Sequence, residues 1–209
     1  MKKKIILGAL LVLMLTGCEQ KVITVADIQS EDGQENDYIE MKKFELKSSE
    51  ADKAEDSVKY CALLIPAGYQ PSEEIEGMYV HERRPLDSSN IYYTVSPGDA
   101  DGKVSEKLTK EIYEETIEDT FSEEGWEIDL QIESFEEIDV EGVPGYKIRS
   151  TYDVGDGRIE QLTYLIMADD TYTITYSQMA DDQLMADFDI SGDEIRLIRD
   201  EESSLAKLK

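Results

Sequence analysis

Histidine and cysteine are nearly absent from this 209-residue chain, which has one histidine and two cysteines. A serine–histidine hydrolase needs a histidine beside its nucleophile, and the chain has no Gly-x-Ser-x-Gly elbow to accompany His81. It also has no zinc-ligand spacing, no phosphate-binding loop and no dinucleotide-binding glycine motif. The sequence therefore predicts no catalytic residue, no metal site and no cofactor.

Basic residues are also scarce: 21 lysines and arginines stand against 48 aspartates and glutamates, for a formal net charge of −27. Binding to nucleic acid or to anionic lipid headgroups depends on clustered basic side chains, so a surface this acidic excludes both. Any contact with a membrane must then come from a lipid anchor.

No apolar run is long enough to cross a bilayer, which takes about 20 residues. Residues 5–15 are apolar and follow Lys2-Lys3-Lys4, as in a secretory signal. The run ends in Leu15-Thr16-Gly17-Cys18, which resembles the lipobox of bacterial lipoprotein signals. This resemblance implies that residues 1–17 are removed and that Cys18 carries a diacylglyceryl group. The mature chain would then be anchored to the outer face of the bacterial cytoplasmic membrane, or to a periplasmic membrane face. The alternative is an ordinary secretory signal that happens to end in cysteine.

Using Cys18 for lipid leaves Cys61 without a partner, so no internal disulfide is expected. Cys61 lies in the apolar run 58–65, which is closed by Pro66 and predicts a buried strand. We interpret Cys61 as a small buried hydrophobic residue rather than a reactive thiol.

Residues 18–56 are rich in Asp, Glu, Ser, Gln and Lys and show no sustained periodicity. They predict a lipidated N-terminus followed by an acidic, flexible tether. The folded domain is expected at 57–200, with a tail at 201–209. One alternative is left open within the tether, namely that a short apolar stretch docks as an extra strand through Tyr38, Ile39, Met41, Phe44 and Leu46.

Within the domain, hydrophobic periodicity predicts mainly strands and one long helix. Strands are expected at 78–80 and 91–95, and the helix at 103–124. Two adjacent apolar rows on the helix predict one broad face toward the core. The rows are Val104, Leu108, Ile112 and Thr116, and Tyr113, Ile117 and Phe121.

The second half of the domain predicts further strands. Apolar and acidic residues alternate over 126–133, which indicates a strand with Trp126 on its buried face. A turn is expected at 142–145, then two successive hairpins through residue 176. A short helix at 181–188 and a strand at 195–198 complete the prediction.

Short motifs in this order resemble the PsbP-like family. They are Ile65-Pro66-Ala67-Gly68-Tyr69, Gly142-Val143-Pro144-Gly145-Tyr146 and Tyr172-Thr173-Ile174-Thr175-Tyr176. The resemblance covers residues 57–200 and implies an α/β (α+β) sandwich, an antiparallel central sheet with helices packed on its faces. It brings no catalytic residue set, and the family members that are understood act mainly as binding or assembly accessories.

The few basic residues of the domain form the candidate contact surface for a partner: Arg83, Arg84, Lys147, Arg149 and Arg158. Strand alternation places Lys147 and Arg149 opposite Tyr146 and Ile148, hence on an exposed face if the tyrosine packs inward. The alternative is charge compensation within the hairpins by Asp153 or Glu160.

A calcium loop is only partly matched. Asp99-Ala100-Asp101-Gly102 resembles the middle of such a loop, but Pro97 and Leu108 would occupy the first and last ligand positions. A turn opening the helix is the preferred interpretation, and weak calcium binding by the acidic surface stays open.

These features predict a non-enzymatic lipoprotein, attached to the membrane through its N-terminal lipid only. Its domain, expected to be monomeric, would serve as a binding or assembly accessory for an unidentified protein. The alternative is a lipoprotein that captures a small ligand or a metal ion. An enzyme would require carboxylates converging in a closed pocket around His81, or a bound cofactor.

Overall fold

Two antiparallel sheets pack against each other, and a helix covers part of the outer face of the larger sheet. The computed structural model describes residues 22–26, 38–49, 57–98, 108–155, 157–179 and 184–199. In these ranges the strands are β1 (Val22–Ala26), β2 (Tyr38–Lys47), β3 (Tyr60–Pro66), β4 (Tyr69–Pro71), β5 (Met78–His81), β6 (Asn90–Pro97), β7 (Gln131–Val140), β8 (Val143–Val154), β9 (Gly157–Met167), β10 (Asp170–Met179) and β11 (Arg196–Ile198). The helices are α1 (Lys110–Glu123) and α2 (Met185–Asp193). The smaller sheet has the order β1-β2-β3-β11, and the larger sheet has the order β4-β5-β6-β10-β9-β8-β7.

The inner core lies between the two sheets. On β10 the side chains of Tyr172, Ile174 and Tyr176 are fully buried in it, because side chains two residues apart share one face of a strand. The smaller sheet and α2 complete this core with Leu46, Cys61, Leu63, Leu197 and Phe188. The fold is therefore mainly antiparallel sheet with few helices, broadly α+β, as the sequence predicted in outline.

Helix α1 packs on the other face of the larger sheet. Thr109 caps its N-terminus, where the Thr109 hydroxyl accepts a hydrogen bond from the amide of Ile112 at 3.3 Å. Gly125, with φ of 86°, follows its end. The helix thus begins at Lys110 rather than at 103, and residues 101–107 lie outside the described ranges.

The predicted broad core face of this helix is wrong. Tyr113, Ile117 and Phe121 pack on the sheet, whereas Ile112 is 40% exposed. Residues one position apart are separated by about 100° around a helix, so a helix lying on a single sheet presents one row to it and turns the second toward solvent.

The strand predicted from Trp126 begins later. Residues 126–130 connect α1 to the sheet, Trp126 is 57% exposed, and strand pairing starts at Gln131 opposite Thr151. The alternation holds for Leu130 and Ile132, which are buried. Trp126 does not follow the alternation because its backbone is still bonded to the last turn of the helix. The Trp126 amide donates a hydrogen bond to the carbonyl of Phe121 at 2.9 Å.

The turn predicted at 142–145 lies earlier in the chain. Glu141 and Gly142 form the two-residue connection between β7 and β8, and both have positive φ, 52° and 85°. Pro144 and Gly145 are already in β8. The two successive hairpins, β8 with β9 and β9 with β10, are confirmed.

Part of the predicted tether belongs to the domain. β2 pairs with β3 from Met41 opposite Pro66 to Lys47 opposite Tyr60, and Leu46 is 3% exposed in the inner core. The extra-strand alternative is therefore confirmed, whereas the flexible tether over 22–26 and 38–49 and the domain start at 57 are wrong, since β1 in turn pairs with β2. Sequence composition misled here because acidic and basic residues occupy the solvent positions of a half-buried strand.

The connection after β2 is fixed by a buried carboxylate. Asp170 Oδ2 accepts hydrogen bonds from the Ser48 hydroxyl and the Ser49 amide, both at 2.7 Å. The Ser48 amide donates to the carbonyl of Lys59 at 2.9 Å. Residues 18–21, 27–37 and 50–56, the rest of the expected tether, lie outside the described ranges.

Cys61 is fully buried, as predicted, and burial raises its pKa to about 12. Of the helices in the described ranges, neither combines the length and the apolar character required to cross a membrane.

Candidate functional site

A cleft of about 540 Å³ lies on the outer face of the larger sheet, beside α1. Its floor is formed by β6, β9 and β10, and one wall by the helix. Since α1 covers the β7–β8 side of the sheet, the middle strands are left uncovered next to it. A volume of this size is in the range of small-molecule sites.

Uncharged polar side chains form the floor. Thr173, Thr175 and Ser177 project from β10 on the side opposite its buried tyrosines. The Thr175 hydroxyl lies 3.2 Å from that of Thr163 on β9. Gln161 donates through Nε2 to the Tyr152 hydroxyl at 3.2 Å and to the Ser177 hydroxyl at 3.1 Å. These hydrogen bonds hold the floor groups in place before any ligand arrives.

Aromatic and aliphatic side chains form the walls. Tyr113, Ile117 and Phe121 come from α1, and Tyr92 comes from β6 on the other side. The Phe121 and Tyr152 rings pack with centroids 5.3 Å apart. Burial raises the pKa of Tyr113, in part offset by its hydrogen bond with Thr163. Burial also raises the pKa of Tyr152, so both phenols stay protonated and uncharged near neutral pH.

Glu124, at the end of α1, is the charged side chain among the residues that line the cleft. In the described part of the chain no group of three or more potential metal ligands comes together. The loop 99–102, with its partial calcium pattern, lies outside that part, as do Cys18 and the residues before it. The cleft can therefore offer neutral hydrogen bonds and ring contacts, but no positive charge.

The predicted basic residues lie elsewhere. Lys147 and Arg149 do project opposite Tyr146 and Ile148, but the prediction that this face is exposed is wrong, because α2 lies over it. Their side chains are only 19% and 31% exposed. Tyr146 does pack inward, but into the core beneath α1. The opposite face of β8, which carries Lys147 and Arg149, lies under α2.

Two carboxylates of α2 compensate this basic pair. Lys147 Nζ lies 2.8 Å from Asp193 and 3.1 Å from Asp189, and Arg149 pairs with Asp189. Burial opposes the lysine's charge, but the hydrogen bonds to Asp193 and Asp189 raise its pKa overall. In the described residues these two positive charges are thus neutralised by α2, rather than by Asp153 or Glu160 as the alternative supposed.

The remaining basic residues are spread over the molecule. Arg158 is exposed and donates to Thr151 at 2.7 Å and to Gln131 at 3.2 Å. Arg83 and Arg84 are exposed in the turn after β5, where Arg83 lies 3.4 Å from Asp87. Because β5 and β8 are four strand spacings apart in the larger sheet, about 19 Å, the five residues do not form one patch.

The surroundings of His81 do not match an activated nucleophile. His81 Nδ1 lies 3.4 Å from Asp87, and the buried Ser89 hydroxyl donates to the same carboxylate at 2.5 Å. A serine nucleophile needs the histidine between the serine and the carboxylate, whereas here the carboxylate lies between the other two. The Ser89 hydroxyl bonds further to that of Tyr69 at 2.6 Å, which makes this a structural network in a loop.

Sequence reasoning missed the cleft, although a signal for it was present. Residues 171–177 read Thr-Tyr-Thr-Ile-Thr-Tyr-Ser, so one face of β10 carries hydroxyls at every position instead of the charges of an ordinary solvent face. A continuous row of uncharged hydroxyls on a middle strand indicates a face that is neither core nor simply surface.

No protein-family model and no curated protein sequence matches the chain. Among solved structures, the solution structure of cyanobacterial PsbP (CyanoP) from Synechocystis sp. PCC 6803 is similar, with a TM-score of 0.55 and 14% sequence identity. The alignment covers 75% of this chain and 92% of that one. A protein of unknown function, PA94 from Pseudomonas aeruginosa, described as a putative regulator, aligns over 81% of this chain and 92% of that one, at 7% identity and a TM-score of 0.33.

Proposed function

We propose, starting from a PsbP-like fold that by itself assigns no function, that the protein is a lipoprotein anchored on the extracytoplasmic face of a bacterial membrane. We further propose that its domain binds a small ligand in the cleft beside α1 without catalysing a reaction. The lipobox-like Leu15-Thr16-Gly17-Cys18 supports the anchor.

The observation that carries the binding proposal is the pre-positioned floor of the cleft. Gln161 is held between Tyr152 and Ser177, and Thr163 is held against Thr175. Polar groups fixed in this way lose little conformational freedom when a ligand binds, which favours affinity. Aromatic walls around a few convergent polar groups are the usual composition of a small-molecule site.

A small ligand is favoured over the protein partner that the basic residues suggested. Lys147 and Arg149, two of the five basic residues of the proposed contact surface, are already paired with Asp189 and Asp193. Recruiting them for an acidic partner would mean breaking those ion pairs. A role in assembly stays the second candidate, carried by the exposed Arg83, Arg84 and Arg158.

The binding proposal can be tested by filling the cleft with a bulky side chain. Thr120 lines the cleft, and Thr116, one helical turn earlier, is equally exposed but does not line it. Both hydroxyls donate to the carbonyl four residues before, so they are matched positions. We expect Thr120→Trp to block binding and Thr116→Trp to leave it intact.

The assay uses the full chain in lipid nanodiscs, with thermal unfolding followed by circular dichroism. The probes are neutral oligosaccharides, acetyl-tyrosinamide, a neutral tripeptide, Ca²⁺ and Zn²⁺. Binding raises the melting temperature by an amount set by ligand concentration over Kd. The proposal fails if no neutral probe stabilises the wild-type chain, or if Thr120→Trp is stabilised as much as the wild type.

The anchor is tested separately with a radioactive fatty acid. Cys18→Ala should abolish labelling and leave the signal uncleaved, while Cys61→Ala should be labelled normally. Normal labelling of Cys18→Ala would end the lipoprotein interpretation.

A further inference from the structure

The charge of the cleft restricts what it can bind. Its lining includes no lysine or arginine, and the chain as a whole carries a formal charge of −27. A phosphate or carboxylate ligand would find no counter-charge there and would be repelled by the surrounding field. An anionic ligand is therefore disfavoured in this cleft.

The floor presents a regular array of neutral hydrogen-bonding groups. Thr173 and Thr175 lie two residues apart on β10, which separates them by roughly 7 Å, and Thr163 lies on the adjacent strand at roughly 5 Å. In the described residues the Thr173 hydroxyl has no hydrogen-bonding side chain as its partner, so it is available to a ligand. Gln161 uses its Nε2 within the floor and has a carbonyl oxygen left to accept. A ligand that fits this array carries several hydroxyls of its own.

The walls favour a ligand that also carries apolar surface. The rings of Tyr92 and Phe121 stand on opposite sides of the cleft, and Tyr92 is 37% exposed. The electron-rich face of an aromatic ring attracts the weakly positive C–H groups of a neighbour. A pyranose ring combines a face of C–H groups with a rim of hydroxyls, and so matches walls and floor together.

A peptide is a poorer fit. Peptides that bind sheets usually add a strand at an edge, where backbone groups are unpaired. The floor strands β9 and β10 are internal and paired on both sides. They offer side chains only, so recognition through a peptide backbone has nothing to pair with.

We propose that the ligand is a neutral saccharide, with a sugar ring lying between Tyr92 and Phe121 and its hydroxyls bonded to Thr173 and Gln161. This assignment rests on the proposed binding function and specifies its ligand class. It makes the domain a glycan-binding module held close to the cell surface by the N-terminal anchor.

The test titrates three neutral oligosaccharides into the full chain in nanodiscs by calorimetry: an α-linked glucose trimer, a β-linked glucose trimer and a β-linked N-acetylglucosamine trimer. At least one should bind. Thr173→Val should weaken that binding roughly two- to tenfold, since it removes one hydrogen bond without leaving a void. Thr94→Val is the matched control, because Thr94 pairs with Thr173 across β6 and β10 on the same face but does not line the cleft. Tyr92→Leu should also weaken binding.

The outcomes separate this assignment from the proposed function. If no oligosaccharide binds but acetyl-tyrosinamide or the tripeptide does, in a manner blocked by Thr120→Trp, the saccharide assignment is overturned and the binding function stands. Saccharide binding that is unchanged in Thr173→Val, Tyr92→Leu and Thr120→Trp would also overturn it, because the sugar would then lie outside the cleft. If no neutral probe binds at all, both proposals fall.

Discussion

Leu46→Ala is the sharpest test of whether the segment before residue 57 belongs to the folded domain. Leu46 lies on β2 opposite Cys61, is 3% exposed, and packs in the inner core. Replacing a buried leucine by alanine removes apolar contacts and leaves a cavity, which costs about 2–5 kcal/mol of unfolding free energy. For a domain of this size that corresponds to roughly 5–15 °C in melting temperature.

The assay is urea unfolding of the full chain, with Lys47→Ala as the matched control. Lys47 is the next residue on the same strand and is exposed, so its substitution should change the unfolding free energy by about 0.5 kcal/mol or less. Leu46→Ala should lower the midpoint with an unchanged denaturant slope. If the two variants unfold at the same urea concentration, β2 contributes nothing to the folded domain and the flexible-tether interpretation is restored.

Three further outcomes are expected. Burial opposes the charge of Asp193, but hydrogen bonds from Lys147 and Tyr164 lower the pKa of its carboxyl group. The ionised carboxylate therefore stabilises the fold above about pH 4, and this stabilisation is lost as the pH falls through the lowered pKa. Asp193→Asn should flatten the acid limb of a stability-versus-pH curve. Cys61, buried and with its pKa raised to about 12, should react with iodoacetamide only as fast as the chain unfolds, and labelling within seconds in native buffer would contradict its burial. The double variant Lys147→Glu, Arg149→Glu should lower the melting temperature by on the order of 5 °C and leave the proteins recovered in a pull-down unchanged. If the variant instead loses partners while its melting temperature stays the same, these residues belong to a contact surface.

Much of the inner core was readable from sequence, because β10 obeys a period of two and β3 lies almost entirely in the apolar run 58–65. On β10, Tyr172, Ile174 and Tyr176 alternate with threonines. The β8–β9 and β9–β10 hairpins follow from the turn residues that separate these apolar strands in the sequence. β2 was harder, since its apolar residues alternate with charges over a segment whose composition resembles a solvated linker. β2 forms because it pairs with β3 and buries its apolar side chains against the larger sheet. Neither contact can be read from the local sequence.

The site could not be predicted in the same way. Alternation correctly placed Lys147 and Arg149 on one face of β8, but whether that face meets water depends on where α2 packs, some 40 residues later. The cleft likewise exists because α1 covers only part of the outer sheet face. Period-two patterns determine which side chains share a face and contain nothing about what lies over it.

The division of β10 between two faces has an evolutionary consequence. Tyr172, Ile174 and Tyr176 serve the inner core, while Thr173 and Thr175, interleaved with them, line the cleft on the opposite side of the backbone. Substitution of the threonines is therefore expected to leave the packing of the tyrosines in the inner core intact, because the backbone keeps the two sets apart. A strand built in this way lets the outer face change what it recognises while the scaffold stays the same, which is one way in which a single architecture can serve different roles.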